Sequence, residues 1–425
     1  MKSIKLSFLA TVLMLVFASC VSQGSVPEAA APVVEAPAAP AIPLIPYTFP
    51  TQPVSAWKLP AQTGSFALAN LPTLESRTLS NGVVVIVKKN PANRVFSLKV
   101  AYKGGVAMTT PEQAGIEAMT LALMARGSER YSYMDIQRIQ YEKSSSVGYT
   151  SQGYDWSSFD LATIDKYWDD MFEVFADCLL KPAFLSSQFN LVQNDFKVSI
   201  QKSNSDPYNV AVAKLHEKMF AGHPYQADYA GSVATVSSMT LEQVKAYYDK
   251  CLQADRMAII AVGNFDTDKL VAKLEATIGK MPRTGVVVPK IERYQPKAEL
   301  YLERFDKSKG IAYVRGDYPL ADVTSPDFAT LQLGFSILNE LLFSVVRTDH
   351  GACYSTWSNA HGFLNPYGSL VVYKTDKPEA VKGWVDECIA LLASGKTLNL
   401  KGGGQKYAPI ADSIEAYKAK YVNAF

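Results

Sequence analysis

The sequence predicts an α+β protein of two tandem layered domains. Pairs of strand-like segments are followed by groups of helical segments, and that order begins a second time after a Pro/Gly-rich stretch at 281–296. A length of 425 residues with 48% hydrophobic and 19% charged residues supports folded cores of this kind and excludes a disordered chain.

The first domain opens with a strand after the Asn81-Gly82 turn, and 95–102 alternates as a second strand. Pro111 starts a helix running to about 125, apolar on nearly every side from Ala118 onward and therefore buried. An amphipathic helix follows at 133–143. A strand pair at 146–164 turns at Gly153, and helices occupy 165–180, 186–205 and 207–220. Thr240 caps a helix to 252, with Glu242 and Gln243 in its first turn. An apolar strand at 256–265 and a helix at 266–280 close the domain. Beyond the linker, strands are expected at 298–304 and 310–316, a long helix at 325–346, a strand at 368–373 and a helix at 378–393. The last of these carries Val381, Trp384, Val385, Cys388 and Leu392 on one face.

The N-terminus has a separate logic. Lys2 and Lys5 precede a 14-residue apolar or small run, too short for the ~20 residues that span a bilayer, so it reads as a signal peptide. The run ends Phe17-Ala18-Ser19-Cys20, which resembles a bacterial lipobox despite Phe17 in place of the usual Leu. Cys20 is thus the expected lipidation site, the mature N-terminus of an exported, membrane-anchored lipoprotein on the periplasmic or surface side. Seven prolines lie between Pro27 and Pro50. Such a segment builds no core and favours extended polyproline II; its 24 residues reach ~75 Å as a tether. The expected organisation is a signal peptide at 1–20, a tether at 21–75, a first domain at 76–282, a linker at 283–297 and a second domain at 298–425.

Charge and residue counts narrow the function. Lys+Arg 42 against Asp+Glu 40 lacks the basic excess of a nucleic-acid binder. Four histidines limit any metal or acid–base chemistry. His216, Glu217 and His223 form the only compact set, and adjacent residues such as His216 and Glu217 point to different helix faces. Cys178, Cys251, Cys353 and Cys388 have no paired spacing and read as free thiols in apolar stretches. There is no G-x-S-x-G, and Gly402-Gly-Gly404 lacks the Lys-Ser/Thr of a phosphate loop.

Several short motifs occur in a telling order: Leu79-x-Asn81-Gly82-x-x-Val85, Gly115-Ile116 followed by Gly127-Ser128, His223-Pro224-Tyr225 with Gly231, the segment 240–248, and Ala261-Val-Gly-Asn-Phe265. Over 79–393 this pattern resembles the insulinase, pitrilysin and mitochondrial-processing-peptidase family. The resemblance implies two domains, each a mixed sheet covered by helices. It also implies a zinc site, H-x-x-E-H on a helix plus a later Glu, in which the metal activates water and the first Glu acts as base. At those positions stand Ala118, Leu121, Ala122 and Ser199. Methyl and isobutyl groups neither bind zinc nor move protons, so no catalytic residue, no metal ligand and no zinc cofactor are expected. Glu117 adjoins the vacant motif without a partner one turn away.

The resemblance also implies a substrate-reaching Arg and Tyr seven positions apart, and Arg347 and Tyr354 have that spacing. An Arg can fork onto a carboxylate, and a Tyr hydroxyl can polarise a carbonyl. The alternative is a structural ion pair at Arg347 and simple packing at Tyr354. Leu341 stands where the family usually has another Arg. The second domain is shorter than the first, as an incomplete version of the repeat, and would leave a sheet edge and an apolar helix face for a partner chain. The expected function is a non-catalytic family homologue, membrane-anchored, binding a peptide or unfolded polypeptide or supporting a catalytic homologue as its partner chain. The alternatives are a scaffolding or adhesion lipoprotein and a zinc peptidase with displaced ligands.

Overall fold

The structure, a computed structural model, describes residues 74–423 apart from 152, 295–296, 298 and 402–403. The signal-peptide, Cys20 and tether expectations lie outside the described residues.

The first domain is a six-stranded mixed sheet with helices packed on one face. β1 (Leu74–Thr78) and β2 (Val84–Lys89) form a hairpin whose turn Gly82 enters with φ 85°. The Asn81 amide donates to the carbonyls of Ile278 and Met281 at 2.9 and 3.2 Å, so this turn also holds the end of the domain. β3 (Val95–Lys103) leads to α1 (Ile116–Met124). α2 (Tyr133–Glu142) carries a reciprocal cap between Ser132 and Asp135. β4 (Ser146–Thr150) and β5 (Trp156–Ile164) precede α3 (Trp168–Leu180), α4 (Ser186–Ser203), α5 (Pro207–Met219) and α6 (Val233–Ser238). α7 (Leu241–Cys251), capped by Thr240 and Gln243, feeds β6 (Met257–Gly263), and α8 (Thr267–Glu275) follows. The strand order is β1-β2-β6-β3-β5-β4, with β6 parallel to β2 and the other pairings antiparallel. Alternation puts Val85, Val87, Leu98, Val100, Phe159, Leu161 and Ile259 in the core beneath Met119, Leu123, Phe172 and Phe175.

The second domain is smaller. β7 (Ala312–Pro319), β8 (Cys353–His361) and β9 (Tyr367–Thr375) form an antiparallel sheet in the order β7-β9-β8. α9 (Pro326–Leu342) continues into a wider π-helical turn, Phe343–Asp349. α10 (Pro378–Ala393), the short pair β10 (Lys396–Leu398) and β11 (Tyr407–Pro409), and α11 (Ile414–Asn423) complete the described chain. Ile337, Leu338, Leu341, Leu342, Leu370, Val372 and Cys388 build its core. The span Pro326–Asp349 has the length and mean hydropathy, 1.4, of a membrane helix, but its inner face belongs to this core. Only 33% of its most apolar window is buried.

The expected elements need four corrections. The helix anticipated from Pro111 starts only at Ile116, because Gly115 has φ 93°, which no α-helix accepts. The first domain begins with a strand at Leu74, ahead of the expected start. No strand forms over the described part of 298–304. The strand β8 was not anticipated, its run Cys-Tyr-Ser-Thr-Trp-Ser-Asn-Ala-His being too polar to signal one.

The domains meet across a seam. His216 on α5 lies 3.4 Å from the fully buried Asp317 on β7, which Arg315 also holds at 2.8 Å. Arg315 donates to the Tyr208 hydroxyl at 3.2 Å. Val106, Tyr154, Phe220 and Tyr225 of the first domain pack with Tyr367 of the second.

Candidate functional site

α1 carries three of the four positions that the resemblance assigns to the zinc site. Ala118, Leu121 and Ala122 are all buried, packed where the helix lies against α7, α4 and the sheet. Ser199, the fourth vacant position, is exposed on α4.

The side chain that does carry charge here is Glu117, and both of its oxygens are bonded. One carboxylate oxygen accepts from Ser157 on β5 at 2.5 Å. The other accepts from the Tyr247 hydroxyl on α7 at 2.5 Å and from Arg256 Nη2 at 2.7 Å. Arg256 is 0% exposed. It also donates to the carbonyls of Lys103 and Cys251 at 2.6 and 3.1 Å and to the Tyr247 hydroxyl at 3.4 Å. Burial disfavours the Arg256 charge, yet Glu117 and Tyr247 outweigh it and hold the guanidinium above its ordinary range. Burial, followed by the neighbouring Glu117 charge, pushes the Tyr247 hydroxyl far up, so it stays a proton donor. The network joins α1, α7, β3, β5 and the turn before β6. Beside it, a cavity of about 20 Å³ bounded by Glu117, Ala118 and Ser157 has room for one water.

These residues do not fit a zinc ion. Three of the four positions that the resemblance assigns to the zinc site hold buried hydrocarbon, the fourth faces solvent, and the adjacent carboxylate is bonded on both oxygens, one of them paired with Arg256. Among the described residues no group of three or more His, Cys, Asp or Glu converges as a metal cluster would.

The histidines are likewise structural. His216 Nδ1 meets the Tyr154 hydroxyl at 2.6 Å. His223 Nδ1 accepts from the Tyr225 N–H at 3.1 Å while Nε2 donates to the Glu292 carbonyl at 3.1 Å, which fixes its tautomer. Burial lowers its pKa. His350 stacks on Trp384 at 4.5 Å. His361 Nε2 lies 2.9 Å from Ser369 Oγ, and burial lowers its pKa to about 4. The compact His216–Glu217–His223 set therefore disperses: Glu217 pairs with Lys214 on the surface. The free thiols Cys178, Cys251 and Cys388 are buried, and Cys353 is half-buried. Burial raises Cys178 and Cys388 to about 12, away from nucleophile chemistry.

The structure brings the other two candidate residues near each other. Arg347 sits on the π-helical turn and Tyr354 is the second residue of β8. Both are exposed, and the guanidinium lies 5.7 Å from the Tyr354 ring. No described carboxylate pairs with Arg347, so the structural ion pair considered above is not present among the described residues. Sequence reasoning missed Lys374, whose Nζ lies 5.7 Å from the centre of the same ring. It also missed Arg256, the buried partner of Glu117; a lone Arg opening an apolar strand was the available signal.

Known proteins share this architecture. Residues 84–232 match the family described as "Insulinase (Peptidase family M16)", and residues 238–396 match "Peptidase M16 inactive domain". The chain is 22% identical over 326 residues to an uncharacterized zinc protease of Streptomyces coelicolor, covering 74% of this chain and 70% of that protein. It is 25% identical over 255 residues to a probable inactive metalloprotease of Bacillus subtilis, covering 58% and 53% of the two. A crystal structure of a peptidase M16 inactive domain from Pseudomonas fluorescens superposes with a TM-score of 0.68 at 19% identity, covering 81% of this chain and 86% of the other.

Proposed function

Because the chain belongs to the insulinase family, peptidase family M16, we propose that it is a non-catalytic member that binds peptide or unfolded polypeptide, holds no zinc, and serves beside a zinc-bearing homologue as partner chain. One observation carries this reading. The helix that would hold the zinc motif is packed into the core through Ala118, Leu121 and Ala122, and its only carboxylate, Glu117, is bound on both oxygens by Ser157, Tyr247 and Arg256. The opposite half of the family's substrate apparatus, Arg347 and Tyr354, stays exposed and adjacent. A chain that keeps binding groups and lacks cleaving ones acts as a receptor or as one wall of a shared enclosure.

Peptide capture also has a backbone route. β4 ends the six-stranded sheet and β8 ends the three-stranded one; Gln140 already takes the Val147 N–H of β4 and Asn339 the Ser358 N–H of β8, so only the rest of each edge is offered to an extended chain.

The purified protein is expected to contain far less than one zinc per chain by elemental analysis and to leave unfolded peptides uncut. One zinc per chain, removed by a chelator together with peptidase activity, would overturn the reading. Recovery of a homologue bearing intact H-x-x-E-H in a pull-down separates the partnered reading from pure scaffolding.

The anchor belongs to the same proposal. Cys20 carries the lipid, and the Pro-rich segment behind it holds the folded body off the membrane. Detergent-phase partitioning of the full chain should disappear in Cys20→Ser; persistence in the detergent phase would place the anchor elsewhere.

A further inference from the structure

Three local irregularities of the second domain converge at one place. Arg347 is presented by a π-helical turn, a geometry that is uncommon and concentrated at functional sites. Tyr354 stands 66% exposed at the start of the edge strand β8. Opposite it, β9 bulges: Tyr313 pairs with Tyr373 and Ala312 with Thr375, which leaves Lys374 as the extra residue. Lys374 has φ 59°, a left-handed conformation that a lysine adopts only at a cost. The bulge sends its ammonium over the Tyr354 and Tyr373 rings at 5.7 and 5.4 Å. Two cations thus flank one exposed tyrosine, and neither has a carboxylate partner among the described residues. Like charges gathered without a counterion weaken a fold, so their placement calls for an anion from outside.

The surface leading away from this point is aromatic. The Tyr373 ring lies 5.0 Å from Tyr313, 5.6 Å from Trp357 and 5.4 Å from Tyr208, all half-buried. Rings of this kind hold apolar side chains with little loss of entropy.

We propose that Lys374, Arg347 and Tyr354 form a carboxylate-binding site, and that its ligand is an extended peptide whose carboxylate neighbours an aromatic or large apolar residue seated on the Tyr373–Trp357–Tyr313 row. Lys374 and Arg347 neutralise the carboxylate, the Tyr354 hydroxyl donates to it, and the peptide backbone pairs with the edge of β8 ahead of Ser358, whose N–H Asn339 already holds. This rests on the peptide-binding reading above and specifies the peptide's chemistry. The carboxylate comes either from the peptide's C-terminus or from an Asp or Glu side chain.

Fluorescence anisotropy of the full chain with three labelled peptides separates the cases. All share one Ala/Gly-rich sequence with a Phe-Phe pair: one ends in a free carboxylate after Phe-Phe, one is amidated there, and one is amidated with Glu beside the pair. Binding of the first or third at least tenfold tighter than the second, weakened by added salt, is expected, and the tighter of the two identifies the carboxylate. Lys374→Gly should lower that affinity about tenfold while leaving the melting temperature unchanged or higher, since glycine favours the left-handed backbone. Arg347→Ala should weaken binding similarly with little change in melting temperature, as for an exposed residue. Equal binding of all three peptides, or variants that bind like the parent chain, would overturn the carboxylate site while leaving peptide binding intact. If none of the three binds, both readings fall.

Discussion

Glu117→Ala is expected to destabilise the protein by about 3–5 kcal/mol in urea unfolding, because it strands the Arg256 guanidinium without its counterion in a site with no solvent access. Domains of this kind are held by roughly 5–15 kcal/mol in total, so the variant should express poorly or melt well below the parent. Arg256→Met alone should be nearly as damaging, since it leaves a buried carboxylate facing only Ser157 and Tyr247. The informative comparison is the double variant Glu117→Met/Arg256→Met, which removes both charges and replaces them with adaptable apolar volume. It should recover a large part of the loss, because a buried pair contributes little net stability over hydrocarbon even though breaking it is costly. A double variant as unstable as the sum of the singles would show the two residues to act independently. The same variants also bear on function. If Glu117 were held for chemistry, its removal would alter a reaction and leave folding untouched.

Gly231→Ala is expected to cost about 2–5 kcal/mol, from a left-handed backbone and a steric overlap together. Gly231 has φ 79°, and a methyl group there would run into the carbonyl oxygen of Ala114. The contact is mutual: a methyl on Gly115 would stand 2.7 Å from the Ala230 oxygen. The two glycines let the loop before α6 press directly on the residue that caps α1. Gly222 supplies the control, with nearly the same φ of 76° but nothing within 4 Å of the point where a methyl would stand. Gly222→Ala should therefore show the backbone cost alone, about 1–2 kcal/mol. Equal losses in the two variants would remove the steric explanation.

The glycines show why much of the first domain was legible in the sequence. Gly115 and Gly231 served there as spaced landmarks, and the structure shows them in contact, so their spacing encodes one packing event. The long helices 186–203 and 207–219 and the strand 95–103 were likewise readable, because each repeats one periodicity over two turns or more. Other features had no local signal. Glu117 has no partner within its own helix, and its partners Tyr247 and Arg256 lie 130 and 139 residues further along the chain. No periodicity encodes such a pairing. Lys374 was missed for a different reason: a bulge in left-handed conformation is ordinarily marked by Gly or Asn, and lysine conceals it. The strand expected over 298–304 failed in the opposite sense, since alternation alone does not create a pairing partner. That Ala118, Leu121, Ala122 and Ser199 stand where the resemblance expects zinc chemistry could be read from the residues, whereas the bonding of Glu117 on both oxygens beside a one-water cavity required coordinates.

The seam between the domains bears on how anything as large as a polypeptide could be admitted. His216 against Asp317, Arg315 against Tyr208, and the N–H groups of Asn365 and Leu364 donating to the Tyr225 hydroxyl and the Asp155 carboxylate fasten the halves at several separate points. A hinge needs a few residues that absorb rotation while little else crosses between the moving parts. Here side-chain contacts, ring packing and backbone hydrogen bonds all cross, and opening would part Asp317 from His216 while Arg315, on the same strand, stays with it. On the partnered reading proposed above, the chain is then a single jaw, and the gape that admits a polypeptide lies between it and its partner.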